Sequence, residues 1–331
     1  MNKKGTFLGE FQFIESLKRR HIHSSKTILG IGDDCAILKS HSNKLLLLST
    51  DLLQEHVHFE MSWGSPKILG KKVVSINLSD IAAMGGKPTH GLCVLAIPKK
   101  HLSLLDEIMS GIEEQCKHYQ LDLIGGDTNS SQNDLSLCFT ILGEGQEKGI
   151  IRREGAKEGD IIFCSGKIGD HGLGLKFLKS EKQFPQLSRF EKEELVEGFL
   201  DPIPRIELGL QLAEMGMVSS MIDISDGLIQ DLRHILNESN VSAKLDSQKI
   251  PLSKAFKKTG FSWKEACSFG EDYELLFTVS KSDKEKILSL TIKDCPITSI
   301  GEIIRSKEAK PQIFDQEEHP IFFEKEGFQH F

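Results

Sequence analysis

Carboxylates recur beside small and hydroxylated residues at five places along this chain. They lie in Gly30-Ile31-Gly32-Asp33-Asp34, Ser49-Thr50-Asp51, Asn77-Leu78-Ser79-Asp80, Gly125-Gly126-Asp127-Thr128 and Asp223-Ile224-Ser225-Asp226-Gly227. Apolar runs lead into several of them, such as Leu45 to Leu48 before Asp51 and Leu123-Ile124 before Asp127. Acids placed this way are partly shielded from water. An unpaired ionised carboxylate in an apolar medium carries a Born cost on the order of tens of kcal/mol. Two of them at ~4 Å repel by about 4 kcal/mol at an effective dielectric near 20. Clustered aspartates without adjoining basic residues therefore need cations. Hard oxygen donors with Ser and Thr hydroxyls beside them suit Mg²⁺. Taken one at a time, the sites have plainer readings. Asp226-Gly227 reads as a turn, Asp80 as the cap of a helix from Ile81 to Met84, and Asp33-Asp34 as a solvated turn. All five in one chain favour a common metal site.

Other chemistries find no motif. The chain has no G-x-x-x-x-G-K-[ST] loop, no H-E-x-x-H, no G-x-S-x-G and no EF-hand loop. Its 7 cysteines are dispersed, with no C-x-x-C pair, and read as buried thiols in a reducing cytoplasm. A formal net charge of -7 gives no broad footprint for nucleic acid. The apolar runs are far shorter than the ~20 residues of a membrane-spanning helix. Met1 to Glu10 holds no sustained apolar stretch, so no secretory signal is expected and the cytoplasm is the expected location.

The elements that must position these acids follow from periodicity. A length of 331 residues suggests about two domains, and 39% hydrophobic with 27% charged residues suits a globular protein. The pattern predicts a strand over Lys44 to Thr50 ending at Asp51, a helix over Pro66 to Leu78 and a strand over His90 to Ile97. A helix over Leu102 to Tyr119 follows, then a short strand Leu121 to Ile124 running into Gly125-Gly126-Asp127, and a strand Leu135 to Leu142. Gly143 to Gly159 is rich in glycine and charge, which places a boundary near residue 150 and domains at 1–150 and 151–331. Beyond it we expect a strand Asp160 to Cys164, a mainly structural glycine-rich turn from Gly166 to Gly174, and helices over Glu191 to Leu200 and Ile206 to Glu214.

In their order, these motifs resemble those of the thiamine-monophosphate kinases, members of the AIR-synthase-like (PurM-like) ATP-binding superfamily. The resemblance also rests on His58-Phe59, on Ile81-Ala82-Ala83-Met84-Gly85, and on Arg153 before Gly155-Ala156-Lys157. It continues through Gly270-Glu271-Asp272-Tyr273-Glu274-Leu275 to Gly327-Phe328-Gln329-His330-Phe331. It implies an α/β (α+β) two-domain PurM-like fold: an N-terminal α/β domain with dimer-forming strands, a C-terminal α+β domain, and a cleft between them. It implies transfer of a phosphoryl group from ATP to thiamine monophosphate, with several Mg²⁺ ions and a homodimer. By position it implies Asp34, Ser49, Thr50, Asp51, Asp80, Asp127, Asp223 and Asp226 as metal ligands. Gly126, Asp127, Arg153 and Ser225 would contact ATP, and His58, Glu271 and Phe328 the thiamine phosphate. Without it, His58 reads as a strand-end surface histidine, Phe328 as a terminal core aromatic, and Arg153 as a solvated linker charge. Phe328 stands where the family often has Tyr or Trp; it keeps a stacking face and loses the polar tip. The acceptor is an anionic phosphate oxygen, so no dedicated nucleophile or general base is expected. The alternatives are another ATP-dependent synthetase of the superfamily and a non-catalytic nucleotide- or Mg²⁺-binding protein.

Overall fold

A computed structural model describes residues 10–20, 25–40, 43–180, 184–306 and 311–329. The leader reading at Met1 to Gly9 and the His330-Phe331 end of the family motif lie outside these residues.

The first sheet comprises β1 (Thr27–Leu29), β2 (Ala36–Lys39), β3 (Lys44–Gln54), β4 (Lys87–Pro98), β5 (Asp122–Ser131) and β6 (Ser136–Gln146). Their spatial order is β1-β2-β3-β6-β4-β5, and β4 with β5 is the parallel pair. Two expected strand ends move. β3 runs past Asp51 to Gln54, so Asp51 lies within the strand. Gly125, Gly126 and Asp127 lie inside β5 rather than beyond its end, because they pair with Leu92, Cys93 and Val94 of β4. A Cβ on Gly126 would fall 1.7 Å from the Cys93 carbonyl oxygen, so only glycine permits this approach.

α1 (Glu10–Arg20) precedes this sheet, and α2 (Pro66–Ala83) packs on it. Ser65 caps α2 by accepting from the Ile68 amide, and Pro66 occupies its first turn. The helix continues past Leu78 to Ala83, so Asp80 sits in its last turn and does not cap a new helix. Most of α2 is buried, because the first sheet, α3 (Leu105–His118) and elements of the second half surround it. α2 and α3 meet backbone to backbone. A Cβ on Gly70 would lie 2.0 Å from the Ile108 carbonyl oxygen, and one on Gly111 would lie 1.9 Å from that of Lys67.

The second half adds α4 (Asp170–Lys179), α5 (Arg189–Leu200), α6 (Ile206–Met215) and α7 (Leu228–Ser239). Its sheet holds β7 (Ile161–Ser165), β8 (Val218–Ile224), β9 (Val241–Leu245), β10 (Glu274–Val279), β11 (Ile297–Arg305) and β12 (Ile313–Phe314), ordered β12-β9-β11-β7-β10-β8. Every residue of β7 and β10 is buried, which explains the unbroken apolar run at Ile161 to Cys164. Side chains alternate between two cores. Phe163, Met221, Leu275 and Phe277 join the core of the first sheet, and Ile162, Ile222, Ile224 and Leu276 pack with α7. All 7 cysteines are free, and Cys138 alone is not buried. Among the described residues, no helix is long and apolar enough to cross a membrane.

Candidate active site

A cleft of about 570 Å³ opens where β3 and α2 face the loops around β8 and β10. Carboxylate oxygens of Asp34, Asp80 and Asp223 lie within 4.8 Å of one another at its acidic end. These three come from the turn before β2, the last turn of α2 and the body of β8. Asp51 and Asp226 line the same cleft.

Local folding fixes each acid. Ser49 donates to Asp80 at 2.5 Å, and the Asp51 amide donates to the Asn77 side chain at 3.1 Å, tying β3 to α2. Ser79 donates to Asp223 at 2.7 Å, tying α2 to β8. Asp226 accepts from Gln230 at 2.9 Å. Asp231 accepts from the amides of Asp226 and Gly227 at 3.2 and 3.0 Å and shapes that loop. Arg153 is no solvated linker charge. Its guanidinium reaches Asp34 at 2.8 Å, and its amide donates to Asp33 at 3.2 Å.

Crowding shows in the proton affinities. Burial, then Asp34, pushes the Asp33 carboxyl up to about 7. Burial pushes Asp51 up to about 6, against a hydrogen bond with Asp80. Asp80 and Asp223 are raised well above the usual carboxylate range, by burial first and by neighbouring acids second.

The expected ligand set divides across the first sheet. Side chains alternate along a strand, so Ser49 and Asp51 face α2 while Thr50 faces the other side. The Thr50 hydroxyl bonds to Thr140 at 2.9 Å and to the Phe139 carbonyl at 3.2 Å on β6. Asp127 is exposed and shares that outer face: its register runs through Val94 and Cys138 to Leu52. Three strand spacings separate Asp127 from Leu52, about 14 Å. Within one chain, the Thr50 hydroxyl and Asp127 therefore face away from the Asp34-Asp80-Asp223 cluster, and Gly126, in register with Asp51 through Cys93 and Phe139, lies about 14 Å from Asp51 across the sheet.

At the other end, Ser225, His58, Glu271 and Phe328 line the cleft. His58 Nδ1 accepts from the Gln54 amide at 3.0 Å. Phe328 is a cleft wall rather than a core aromatic, 39% exposed and held by its amide to the Asp226 carbonyl at 3.0 Å. Glu271 and Tyr273 both hold left-handed backbone, with φ of 71° and 51°. Such strain gathers at functional sites. The Glu271 amide donates to the Ser225 carbonyl at 2.7 Å, and its carboxylate accepts from Lys72 at 2.7 Å. In the glycine-rich segment leading into α4 the Gly169 amide donates to Asp272 at 2.8 Å, and Gly172 lines the cleft.

Asp33, Lys72, Ser79 and Asp231 are contributors that the sequence reading did not assign. Ser79 and Asp231 carried a signal. Ser79 adjoins Asp80, and Asp231 sits in the first turn of a helix behind Asp226-Gly227. Lys72 carried none, since lysine in a helix ordinarily faces water.

Two family models match, the AIR synthase related protein N-terminal domain over residues 32–144 and its C-terminal domain over 157–313. The chain is 35% identical to the thiamine-monophosphate kinase of Bacillus subtilis, over 98% of this chain and 100% of that protein. It is 38% identical to the enzyme of the same name from Buchnera aphidicola subsp. Schizaphis graminum, over 97% and 98%. The solved structure of AaThiL complexed with AMPPCP and TMP matches with a TM-score of 0.83 at 31% identity, covering 100% of this chain and 99% of that one. The two-sheet fold of this chain thus has a full-length counterpart, and the chain belongs to the thiamine-monophosphate kinase family.

Proposed function

We propose that this protein transfers the γ-phosphoryl group of ATP to the phosphate of thiamine monophosphate, giving thiamine diphosphate and ADP. The observation that carries this reading is the convergence of Asp34, Asp80 and Asp223 from three elements at one end of a cleft. A chain 35% identical to a thiamine-monophosphate kinase over its whole length supports it.

The donor set fits Mg²⁺. It is made of hard carboxylate and hydroxyl oxygens, burial and then the neighbouring acids raise the proton affinities of Asp80 and Asp223, and Arg153 is a cation set against it. Asp34, Asp51, Asp80, Asp223 and Asp226, with Ser49, would hold the ions. Mg²⁺ held there would supply the positive charge that offsets repulsion between two polyanions. The protein's part is positioning. Arg153 and Ser225 orient the nucleotide, and His58, Glu271 and Phe328 hold the thiamine moiety. An oxygen of the acceptor phosphate bonds to the γ-phosphorus as the bond to the bridging β,γ-oxygen breaks, and ADP leaves. The attacking oxygen is already anionic, so the step is direct, in line and needs no phosphoenzyme.

We further propose a homodimer through the first sheet. Leu52, Val94 and Ile124 are 50%, 40% and 56% exposed there, and β5 is an open edge. A second copy on that side would recruit Gly126, Asp127 and Thr50 to the working site. We place the division between the two units near residue 150, between β6 and β7.

The direct test is to incubate the pure protein with ATP, Mg²⁺ and thiamine monophosphate and to measure thiamine diphosphate. ATP binding without that product would sink the proposal. For the dimer, Asp51→Asn and Asp127→Asn chains are mixed. Recovery of activity above either alone is expected if each site draws on both copies, and a sedimenting monomer at assay concentration refutes it.

A further inference from the structure

Lys72 heads the largest fully buried side chains of the described residues, at 2% exposure. Its ammonium donates to the Phe199 carbonyl at 2.9 Å and to Glu271 at 2.7 Å. It also lies 3.5 Å from the centroid of the Phe199 ring. The lysine belongs to α2, on the first sheet. Phe199 closes α5, and Glu271 precedes β10 in the second half. One ammonium thus crosses the boundary between the two halves. Burial pulls its proton affinity down and Glu271 opposes that pull.

A buried ion pair is a poor stabiliser, because desolvation consumes much of the attraction; methionine would fill the same space without that penalty. What such a pair sets is geometry. The Glu271 backbone is already pinned. Its amide donates to Ser225, its φ is 71°, and its carbonyl accepts from Nδ1 of the half-buried His171 at 2.7 Å. The side chain remains to be fixed, and Lys72 fixes it. Beside it, Phe269 and Phe328 line the same cleft.

We infer that Lys72 is a positioning residue for substrate recognition: it holds the Glu271 carboxylate at the aromatic end of the cleft, where that carboxylate meets the cationic thiazolium ring of thiamine monophosphate. This rests on the assignment of Glu271 as a substrate contact.

Steady-state kinetics on Lys72→Met, Lys72→Gln, Glu271→Gln and the Lys72→Met/Glu271→Gln double variant, with melting curves, test it. Lys72→Met should raise the KM for thiamine monophosphate about tenfold and leave the KM for ATP within about twofold. Lys72→Gln, which keeps an N–H donor, should recover part of that loss. The double variant should match Glu271→Gln alone, since Lys72 acts through that carboxylate. Equal rises in both KM values, or a double variant about tenfold worse than Glu271→Gln, overturn the inference. Should Lys72→Met fail to fold, the double variant, which leaves no unpaired charge, decides the matter. A normal KM in Glu271→Gln defeats the substrate assignment itself. A raised KM there beside an unaffected Lys72→Met defeats only the positioning role.

Discussion

The cleft has two acidic ends built in opposite ways. At one, Asp33, Asp34, Asp51, Asp80 and Asp223 crowd together, and Arg153 is the guanidinium set among them. At the other, the carboxylate of Glu271 meets a buried ammonium and rests on a pinned backbone. At the first end burial, and the neighbouring acids after it, raise the proton affinities of Asp33, Asp51, Asp80 and Asp223. The second is complete before any ligand arrives. A fold tolerates uncompensated charge where something bound in use supplies the counter-charge. The first end therefore marks where cations belong, and the second is a preset recognition surface.

The largest test of this contrast is Asp51→Asn. Thiamine diphosphate formation should fall by at least about 10²-fold, the scale of losing one preorganised electrostatic element. Near-normal turnover would erase the distinction between the ends.

Next comes pH, with metal removed by a chelator. The Asp33 carboxyl rises from 3.8 to about 7, and that of Asp51 to about 6, so both bind protons more readily folded than unfolded. Their contribution to stability is full below the unfolded value of 3.8 and drains as pH rises through 6 to 7. The melting temperature should therefore fall between pH 5 and pH 8 by at least about 3 °C, and millimolar Mg²⁺ at pH 8 should restore it. A melting temperature that climbs over this range without metal would refute the picture of a charge-starved end.

A smaller effect belongs to the other end. Phe328→Leu should raise the KM for thiamine monophosphate about fivefold, a stacking contribution near 1 kcal/mol, with the KM for ATP unchanged. Equal shifts for both substrates would place Phe328 elsewhere in the binding scheme. The smallest change is Ser79→Ala. It removes one neutral hydroxyl from Asp223 and should lower turnover only a few-fold. A loss matching that of Asp51→Asn would show that bridging α2 to β8 matters as much as the acids.

Much of this was legible in the sequence, and what was missed has physical causes. Apolar periodicity locates β3, β4, β6, β7 and the middle of α2, and the acid-bearing motifs do lie along one cleft except in β5. Ser49-Thr50-Asp51 reads as one triplet, and the sequence does not show that strand neighbours face opposite ways, so that the Thr50 hydroxyl turns to β6. The expected strand stops at Ile124, before Gly125-Gly126, whose pairing with β4 could be seen only once a distant segment was in place. Asp80 looks like a cap because it is polar at the end of an apolar run. Its needs are met instead by Ser49, 31 positions away. Lys72 is the hardest case. Its meaning depends on Phe199 and Glu271, 127 and 199 positions away, which no local pattern foretells.

The backbone contact between α2 and α3 has a reach beyond packing. Gly70 lies ten residues before Asp80, about 15 Å along a rigid rod. A lone methyl group at Gly70 or Gly111 would wedge the rods apart and swing the far tip, with Ser79 and Asp80, off target. In any such protein that folds, the fault would look chemical while its origin was mechanical: a bent lever, damaged far from its working end.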